Sequence, residues 1–181
     1  AGKSRNKAIF KSKGKYIAFL DSDDFWSKHK LKKQITFMNK NNISASFTAY
    51  NIVNDKNINV GSRPAKKKIF FRDLLYSCDI GLSTVVLKRS ILKKKLNFPN
   101  LKTKEDYVLW LLLSQKKIIF YGINKKLSTW RKRQNSLSSN TFQKILDGFR
   151  VYKKYLNFST IKSLIYLFFL SLNYLKKLNF S

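Results

Sequence analysis

The sequence predicts a single α/β domain. Strand-like and helix-like segments alternate along the 181 residues without an internal repeat, which is typical of α/β and α+β domains rather than of helical bundles. Hydrophobic residues make up 44% of the chain and aromatic residues 15%, so a sizeable core can form and an intrinsically disordered basic tail is excluded. Only 6 Gly and 2 Pro are present, which excludes collagen-like and Pro/Gly-rich low-complexity sequences.

The elements of the first half follow from apolar periodicity and turn signals. The apolar run after Gly14 stops at Asp21 and predicts a buried strand. Leu31, Ile35 and Met38 form one apolar stripe and predict a helix capped by Ser27. The predicted elements are a helix over 4–12, the strand over 15–20, the helix after Ser27, a strand over 45–53, a turn-rich connection over 54–63, a helix over 69–76 and a strand over 83–87.

The second half predicts three more helices and a pair of strands. Thr103 is the expected cap of a helix that runs to Leu113. Residues 118–123 and 127–131 predict two short strands around a turn at 122–124. Helices are expected from 141 to about 155 and from 160 to 178.

The chain is strongly basic. It contains 38 Lys+Arg and 9 Asp+Glu, a formal net charge of +29. Such a surplus attracts polyanions, and one interpretation is a nucleic-acid-binding module. Dispersed lysines are more often a solvated surface, which favours weak and non-specific nucleic-acid contact. One cysteine and one histidine are too few for a disulfide framework or a Cys/His zinc site.

Most of the informative residues are therefore acids. Asp21, Asp23 and Asp24 lie within four residues at the end of the predicted strand, where open α/β sheets bind ligands. Three carboxylates repel one another unless a cation neutralises them, so a Mg²⁺ or Mn²⁺ site is one interpretation. A solvent-exposed turn is the other. Glu105 and Asp106 begin a predicted helix, where the helix dipole alone favours acids.

Three motifs resemble family 2 glycosyltransferases of the GT-A fold, a Rossmann-like fold of nucleotide-diphospho-sugar transferases. They occur in the family's order over residues 1 to about 140. The motifs are Gly2-Lys-Ser-Arg5-Asn6 with Gly14-Lys-Tyr-Ile-Ala-Phe-Leu-Asp21-Ser-Asp23-Asp24-Phe-Trp26 and Lys30-Leu31…Gln34, then Glu105-Asp106-Tyr107-Val-Leu-Trp110, then Trp130-Arg131…Ser136-Leu137-Ser138.

The resemblance lacks its opening part. Family members begin with a strand–helix–strand segment that holds the nucleotide base, and nothing before Ala1 corresponds to it. The expectation is an N-terminally truncated GT-A catalytic domain over 1–140, its C-terminal two-thirds, followed by a helical extension over 141–181. Truncation is also expected to leave an unpaired sheet edge and an inactive fragment. The alternative is a non-catalytic remnant of a glycosyltransferase.

The resemblance also implies roles for four acids. Asp23 would be the metal ligand, and Asp21 would face the ribose or the metal. Asp106 would be the general base of an inverting transfer, with Glu105 as its orienting neighbour. The metal would be Mg²⁺ or Mn²⁺, and the substrates a nucleotide-diphospho-sugar donor and a glycan or lipid-linked acceptor.

Three further side chains are implied near the donor or acceptor. Arg5 and Arg131 would lie near the diphosphate, since a guanidinium matches phosphate geometry. Trp110 would stack on a sugar, or fill the core beside the site. Arg131 has the alternative of an ordinary surface residue.

Residues 161–177 are apolar but interrupted by Lys162 and Asn173, and they are shorter than the ~20 residues that span a bilayer. The segment predicts a helix that lies on an anionic membrane or packs on the domain or a partner subunit. The expected location is cytoplasmic, peripheral to the inner face of the cell membrane, in cell-envelope polysaccharide biosynthesis and without a specific nucleic-acid partner.

Overall fold

The computed structural model describes residues 2–92, 97–133 and 140–179. Its helices and strands confirm the predicted α/β class. The helices are α1 (Gly2–Lys11), α2 (Lys30–Lys40), α3 (Phe71–Tyr76), α4 (Glu105–Gln115), α5 (Thr141–Arg150) and α6 (Thr160–Asn179). The strands are β1 (Tyr16–Ala18), β2 (Phe25–Trp26), β3 (Ala45–Val53), β4 (Asn59–Arg63), β5 (Lys68–Ile69), β6 (Val86–Lys88) and β7 (Phe120–Arg131).

The strands form one mixed sheet in the order β1-β6-β3-β7-β2, with β4 paired to β3 and β5 to β7. The long central strands β3 and β7 are parallel, and they run side by side to Val53 and Arg131. The other pairings are antiparallel. The carboxyl ends of β3 and β7 therefore meet at one edge, where α/β sheets bind ligands.

The sheet differs from the predicted one in several places: the two-residue strands β2 and β5 were not predicted, and two longer segments also differ. Residues 59–63 form the edge strand β4 where a turn-rich connection was expected. Residues 120–131 form one strand instead of two, because a register shift absorbs the predicted turn. Thr48 is opposite Ile123, Ala49 is opposite Lys126 and Tyr50 is opposite Ser128, so residues 124, 125 and 127 bulge out of the pairing.

Helix α4 packs in the centre of the core. Trp110 is completely buried, and its ring makes edge-to-face contacts with Phe19, Phe98 and Phe120 at centroid distances of 6.0, 6.4 and 5.4 Å. A side chain with no exposed surface cannot stack on a sugar. The substrate contact implied for Trp110 is therefore wrong in this structure, and the core alternative accounts for the residue.

Helix α2 buries a different face from the predicted one. Met38 is buried, but its partners on the buried face are Lys30 and Gln34, while Leu31 is exposed. The helix begins at Lys30, and Ser27 instead closes a backbone turn by accepting from the Lys30 amide at 2.9 Å. The polar face is buried because each of its polar groups finds a partner, as described below.

Helix α5 is joined to α6 by a π-helical turn at Val151–Tyr155, and this turn and α6 contribute Tyr152 and Leu170 to the main core. Asp147 on α5 is buried and accepts from the amide and the hydroxyl of Thr103, both at 3.0 Å. Thr103 is thus bound to α5 and does not cap α4, which corrects the predicted cap. The division at residue 140 stays a prediction.

Candidate active site

A cavity of about 200 Å³ opens at the carboxyl ends of β3 and β7. Asp21, Asp24 and Asp106 line it, although 82 residues separate Asp24 from Asp106 in the chain. Tyr50 and Trp130 form part of its wall, and the 3₁₀ turn Leu82–Thr84 is also part of the lining. The structure thus brings together members of the two acidic clusters that the sequence singled out.

Arg5 connects those clusters. Its guanidinium donates to Asp21 Oδ1 at 2.6 Å and to Glu105 Oε1 at 2.7 Å. The side chain therefore ties α1 to the acidic turn after β1 and to the first turn of α4. Glu105 faces this arginine and does not line the cavity. The contact of Arg5 with a donor phosphate stays a prediction, because carboxylates take up the two bonds that it makes here.

Asp106 has the environment of a proton acceptor. Burial, and then the neighbouring charge of Glu105, raise the pKa of Asp106 to about 6. One carboxylate oxygen accepts from the Tyr107 amide at 2.8 Å, which fixes its orientation. A carboxylate whose pKa lies near neutrality is mostly unprotonated at pH 7 and is still basic enough to accept a proton.

The site also contains Asp24, a member of the acidic cluster to which the sequence gave no separate role. Asp24 is buried, and its carboxylate accepts from the Arg131 amide at 3.0 Å, which anchors the end of β7. Burial raises the pKa of Asp24 to about 6 in spite of hydrogen bonds from Ser83 and the Arg131 amide. The sequence signal for a buried Asp24 was its position directly before Phe25 and Trp26, the apolar pair that forms β2.

Asp23 and Arg131 lie beside the cavity and do not line it. The Asp23 carboxylate is 3.3 Å from Nε of Arg133. The guanidinium of Arg131 donates to the Asp23 carbonyl at 3.2 Å and to Asn57 Oδ1 at 2.7 Å, so it holds the β3–β4 turn against the acidic turn. The structure thus gives Arg131 a turn-holding role, and its contact with the diphosphate stays a prediction.

The chemistry of the acidic turn fits a hard divalent ion in part. Within residues 2–92, 97–133 and 140–179, no group of three or more His, Cys, Asp or Glu side chains is placed to hold a metal. Asp21 and Asp23 supply carboxylate oxygens, which Mg²⁺ and Mn²⁺ prefer. Magnesium sites often combine one or two carboxylates with substrate phosphates and water. The pair therefore suits an ion that arrives with a diphosphate.

A buried polar cluster supports the floor of the cavity. Lys30 is completely buried, donates to Gln34 Oε1 at 2.9 Å and lies 4.4 Å from the centre of the Trp26 ring. The Gln34 amide donates to Ser46 Oγ and to the Thr84 carbonyl, both at 3.0 Å. Trp26 Nε1 donates to the Ser83 carbonyl at 2.6 Å. These bonds fix the 3₁₀ turn against β2 and α2.

This cluster predicts a pH dependence of stability. Burial lowers the pKa of Lys30 to about 7, so between pH 7 and 10 the unfolded chain binds one more proton than the folded chain. The free energy of unfolding should rise with pH in that window by up to about 1.4 kcal/mol per unit. Lys30→Met should remove this slope, and Lys33→Met on the exposed face of α2 should retain it. Urea unfolding at pH 7, 8 and 9 measures both, and equal slopes in all proteins would refute the prediction.

The sequence of this chain is similar to those of known glycosyltransferases. Residues 1–97 match the sequence profile of Glycosyl transferase family 2. The chain is also 35% identical over 181 residues to the UDP-Glc:alpha-D-GlcNAc-diphosphoundecaprenol beta-1,3-glucosyltransferase WfaP of Escherichia coli, of which it covers 70%. The chain therefore belongs to glycosyltransferase family 2, as the motifs implied.

Two further curated relatives are longer than this chain. WfgD of Escherichia coli, which carries the same enzyme name as WfaP, is 43% identical over 146 residues that cover 80% of this chain and 56% of WfgD. TuaG of Bacillus subtilis (strain 168), a putative teichuronic acid biosynthesis glycosyltransferase, is 36% identical over 160 residues. This alignment covers 85% of the chain and 61% of TuaG.

A solved structure confirms the fold. The crystal structure of S. aureus TarS 1–349 in complex with UDP-GlcNAc has a TM-score of 0.65 to this chain at 19% identity. The match covers 92% of the chain and 50% of the TarS fragment. At this identity the likeness supports the GT-A fold and says nothing further about the substrate.

The third sequence motif ends in Ser136-Leu137-Ser138, which lie outside the described residues.

Proposed function

We propose that this chain contains most of the catalytic domain of an inverting glycosyltransferase, which moves a sugar from a UDP-sugar to a hydroxyl of a lipid-linked glycan. The observation that supports it most strongly is that Asp106, Asp21 and Asp24 line one cavity at the carboxyl ends of the parallel strands. Asp106 removes the proton of the acceptor hydroxyl. The oxygen then forms a bond to the anomeric carbon as the bond to the diphosphate breaks.

The surrounding residues position this base. Arg5 holds Glu105 through one ion pair and Asp21 through another, which keeps the first turn of α4 beside the acidic turn. Asp23 and Asp21 would hold Mg²⁺ or Mn²⁺. Such an ion, when bound, offsets the negative charge that develops on the departing diphosphate.

The substrate classes come from the relatives. WfgD and WfaP are named for transfer from UDP-Glc to α-D-GlcNAc-diphosphoundecaprenol, and TuaG for teichuronic acid biosynthesis. We extend to this chain the general classes in those names, a UDP-sugar donor and a lipid-linked acceptor used in cell-envelope polysaccharide synthesis.

A lipid-linked acceptor fits a peripheral position at the cytoplasmic face of the membrane. None of the described helices is long and apolar enough to cross a bilayer. Helix α6 nevertheless exposes large apolar side chains, among them Leu164 and Phe168, and lysines follow at its end. Apolar residues next to lysines suit the surface of an anionic bilayer.

The membrane contact can be tested on α6. Leu164→Ser combined with Phe168→Ser should weaken binding to phosphatidylglycerol vesicles by about 100-fold, because two large apolar side chains no longer enter the bilayer. Phe10→Ser, which changes an even more exposed residue on α1, should leave binding unchanged. Cosedimentation measures all three proteins. If the double variant still binds vesicles normally, or if it instead dissociates a dimer, α6 serves a different partner.

The enzymatic proposal is tested with the complete gene product. Incubation with a UDP-sugar and a GlcNAc-diphosphate lipid should release UDP and lengthen the glycan. A parallel titration with labelled duplex DNA should show weak binding that falls by roughly 10³–10⁵ between 50 and 200 mM salt. DNA binding that survives physiological salt, together with no turnover of any UDP-sugar, would support the nucleic-acid-binding alternative instead.

A further inference from the structure

A second cavity of about 350 Å³ shares part of its lining with the candidate active site. Tyr50 and Trp130 line both cavities, so the two spaces adjoin at these side chains. Trp130 is 39% exposed and offers an aromatic face of the kind that sugars stack on. The far wall of the second cavity comes from α6, through Leu170 and Tyr174.

The second cavity is strongly cationic. Arg63, Lys104, Lys132 and Lys177 line it, and among the described residues that form its wall there is no Asp or Glu. Some of these cations are held in place: Arg63 donates to the Lys177 carbonyl at 2.8 Å, and Lys177 donates to the Cys78 carbonyl at 3.0 Å and pairs with Asp79. Asp79 offsets part of the charge of Lys177, and the cations that line the cavity leave its wall positive, which favours an anion in this space.

Lys104 connects this cationic cavity to the proposed base. It directly precedes Glu105 and Asp106, and its backbone is left-handed, with φ 62°. That conformation is unfavourable for a residue with a side chain, and such strain concentrates at functional sites. Helix α4 begins directly after this left-handed residue. Lys104 lines the cationic cavity, whereas Asp106, two residues later, lines the active site.

We propose that the second cavity binds the diphosphate of a lipid-linked acceptor, so that the attached sugar passes Tyr50 and Trp130 to reach Asp106 and the lipid follows α6. This inference rests on the proposed function. The UDP-sugar donor also contains a diphosphate, so it is a second source of a diphosphate for this cavity. The acceptor fits better, because the acidic turn that would hold a metal–diphosphate does not line this cavity, whereas the apolar helix α6 does.

The test compares two double variants that each remove two positive charges. Lys104→Gln with Lys132→Gln changes the cavity, and Lys32→Gln with Lys33→Gln changes the exposed face of α2. The probes are a GlcNAc-diphosphate ester of a short isoprenoid, the neutral glycoside of the same lipid, and UDP. Dissociation constants are measured at 150 mM salt by calorimetry, and thermal unfolding checks that each variant folds.

The cavity variant should bind the diphosphate lipid about 10- to 100-fold more weakly than the parent chain, since two charge-assisted contacts are lost. Its affinity for UDP and for the neutral glycoside should stay within about twofold, and the α2 variant should match the parent chain. An equal loss in the α2 variant, an equal loss for UDP, or no loss for the diphosphate lipid would each overturn the inference.

Failure of the inference and failure of the proposed function give different results. Sugar transfer by the complete gene product is measured separately, with a water-soluble acceptor that lacks the diphosphate as well as with the lipid. Transfer without diphosphate-selective binding would contradict only the inference. Diphosphate-selective binding without transfer to any acceptor would contradict the function and leave the binding site standing.

Discussion

Replacing Asp106 with asparagine is expected to lower sugar transfer by about 10³-fold in the complete gene product, within the range that general-base catalysis contributes. The amide cannot accept the proton of the acceptor hydroxyl, yet it is nearly the same size and can still accept from the Tyr107 amide. Binding of the UDP-sugar should therefore remain within about twofold. Single-turnover transfer and a separate donor titration measure the two quantities.

Glu105→Gln is the matched control for this change. Glu105 is adjacent in the chain but bonds to Arg5 and lies outside the cavity lining. We expect its loss to lower transfer by only about 10-fold, through weaker positioning of α4. A Glu105→Gln variant as inactive as Asp106→Asn, or an Asp106→Asn variant with near-normal transfer, would exclude Asp106 as the base.

The pH dependence of transfer follows from the same carboxylate. Burial, followed by the charge of Glu105, raises the pKa of Asp106 to about 6, and the base acts only in its unprotonated form. The value of kcat/KM should therefore rise as pH rises through 6 and level off above pH 7. Asp24 also titrates at about 6 in this cavity. If the limb near pH 6 persists in the residual activity of Asp106→Asn, that limb belongs to Asp24.

The sequence predicts parts of this fold well where apolar pattern and burial agree. Strand β3 has the predicted bounds, 45–53, because its residues are mostly buried and apolar. The pattern fails where polar groups are buried, because their partners are distant in the chain. Gln34 on α2 bonds to Ser46 and to the Thr84 carbonyl, 12 and 50 positions away. No local window contains that information, so the apolar stripe of Leu31, Ile35 and Met38 does not predict the face that α2 buries.

The sequence predicted a set of acids for the candidate site but not how their side chains are arranged in space. Motif resemblance singled out Asp21 and Asp106, which line one cavity, whereas only the structure shows that Arg5 joins their clusters. A motif also does not separate residues that face a ligand from residues that pack behind them. Trp110 lies within a motif, yet it is completely buried in the core.

The second large effect is expected at Asp23 in the acidic turn. Asp23→Ala should weaken Mn²⁺-dependent UDP binding by about 100-fold or more, because a bound divalent ion supplies several kcal/mol to the binding of a diphosphate. Binding of UDP without metal should change little, and the fold should remain intact, since the Asp23 side chain is partly exposed and its ion pair is with the exposed Arg133. Calorimetric titration with and without Mn²⁺ measures the difference.

Arg133→Gln separates a metal role from a structural one. In this structure the guanidinium lies 3.3 Å from the Asp23 carboxylate and so competes with any cation for it. If Asp23 is a metal ligand, removing Arg133 should leave Mn²⁺-dependent UDP binding intact or strengthen it by a few fold, since the carboxylate no longer has to exchange one positive partner for another. If Asp23 only serves to hold Arg133, the two variants should instead behave alike. Retention of Mn²⁺-stimulated UDP binding by Asp23→Ala would exclude the metal role altogether, because Asp21, already paired with Arg5, would then suffice.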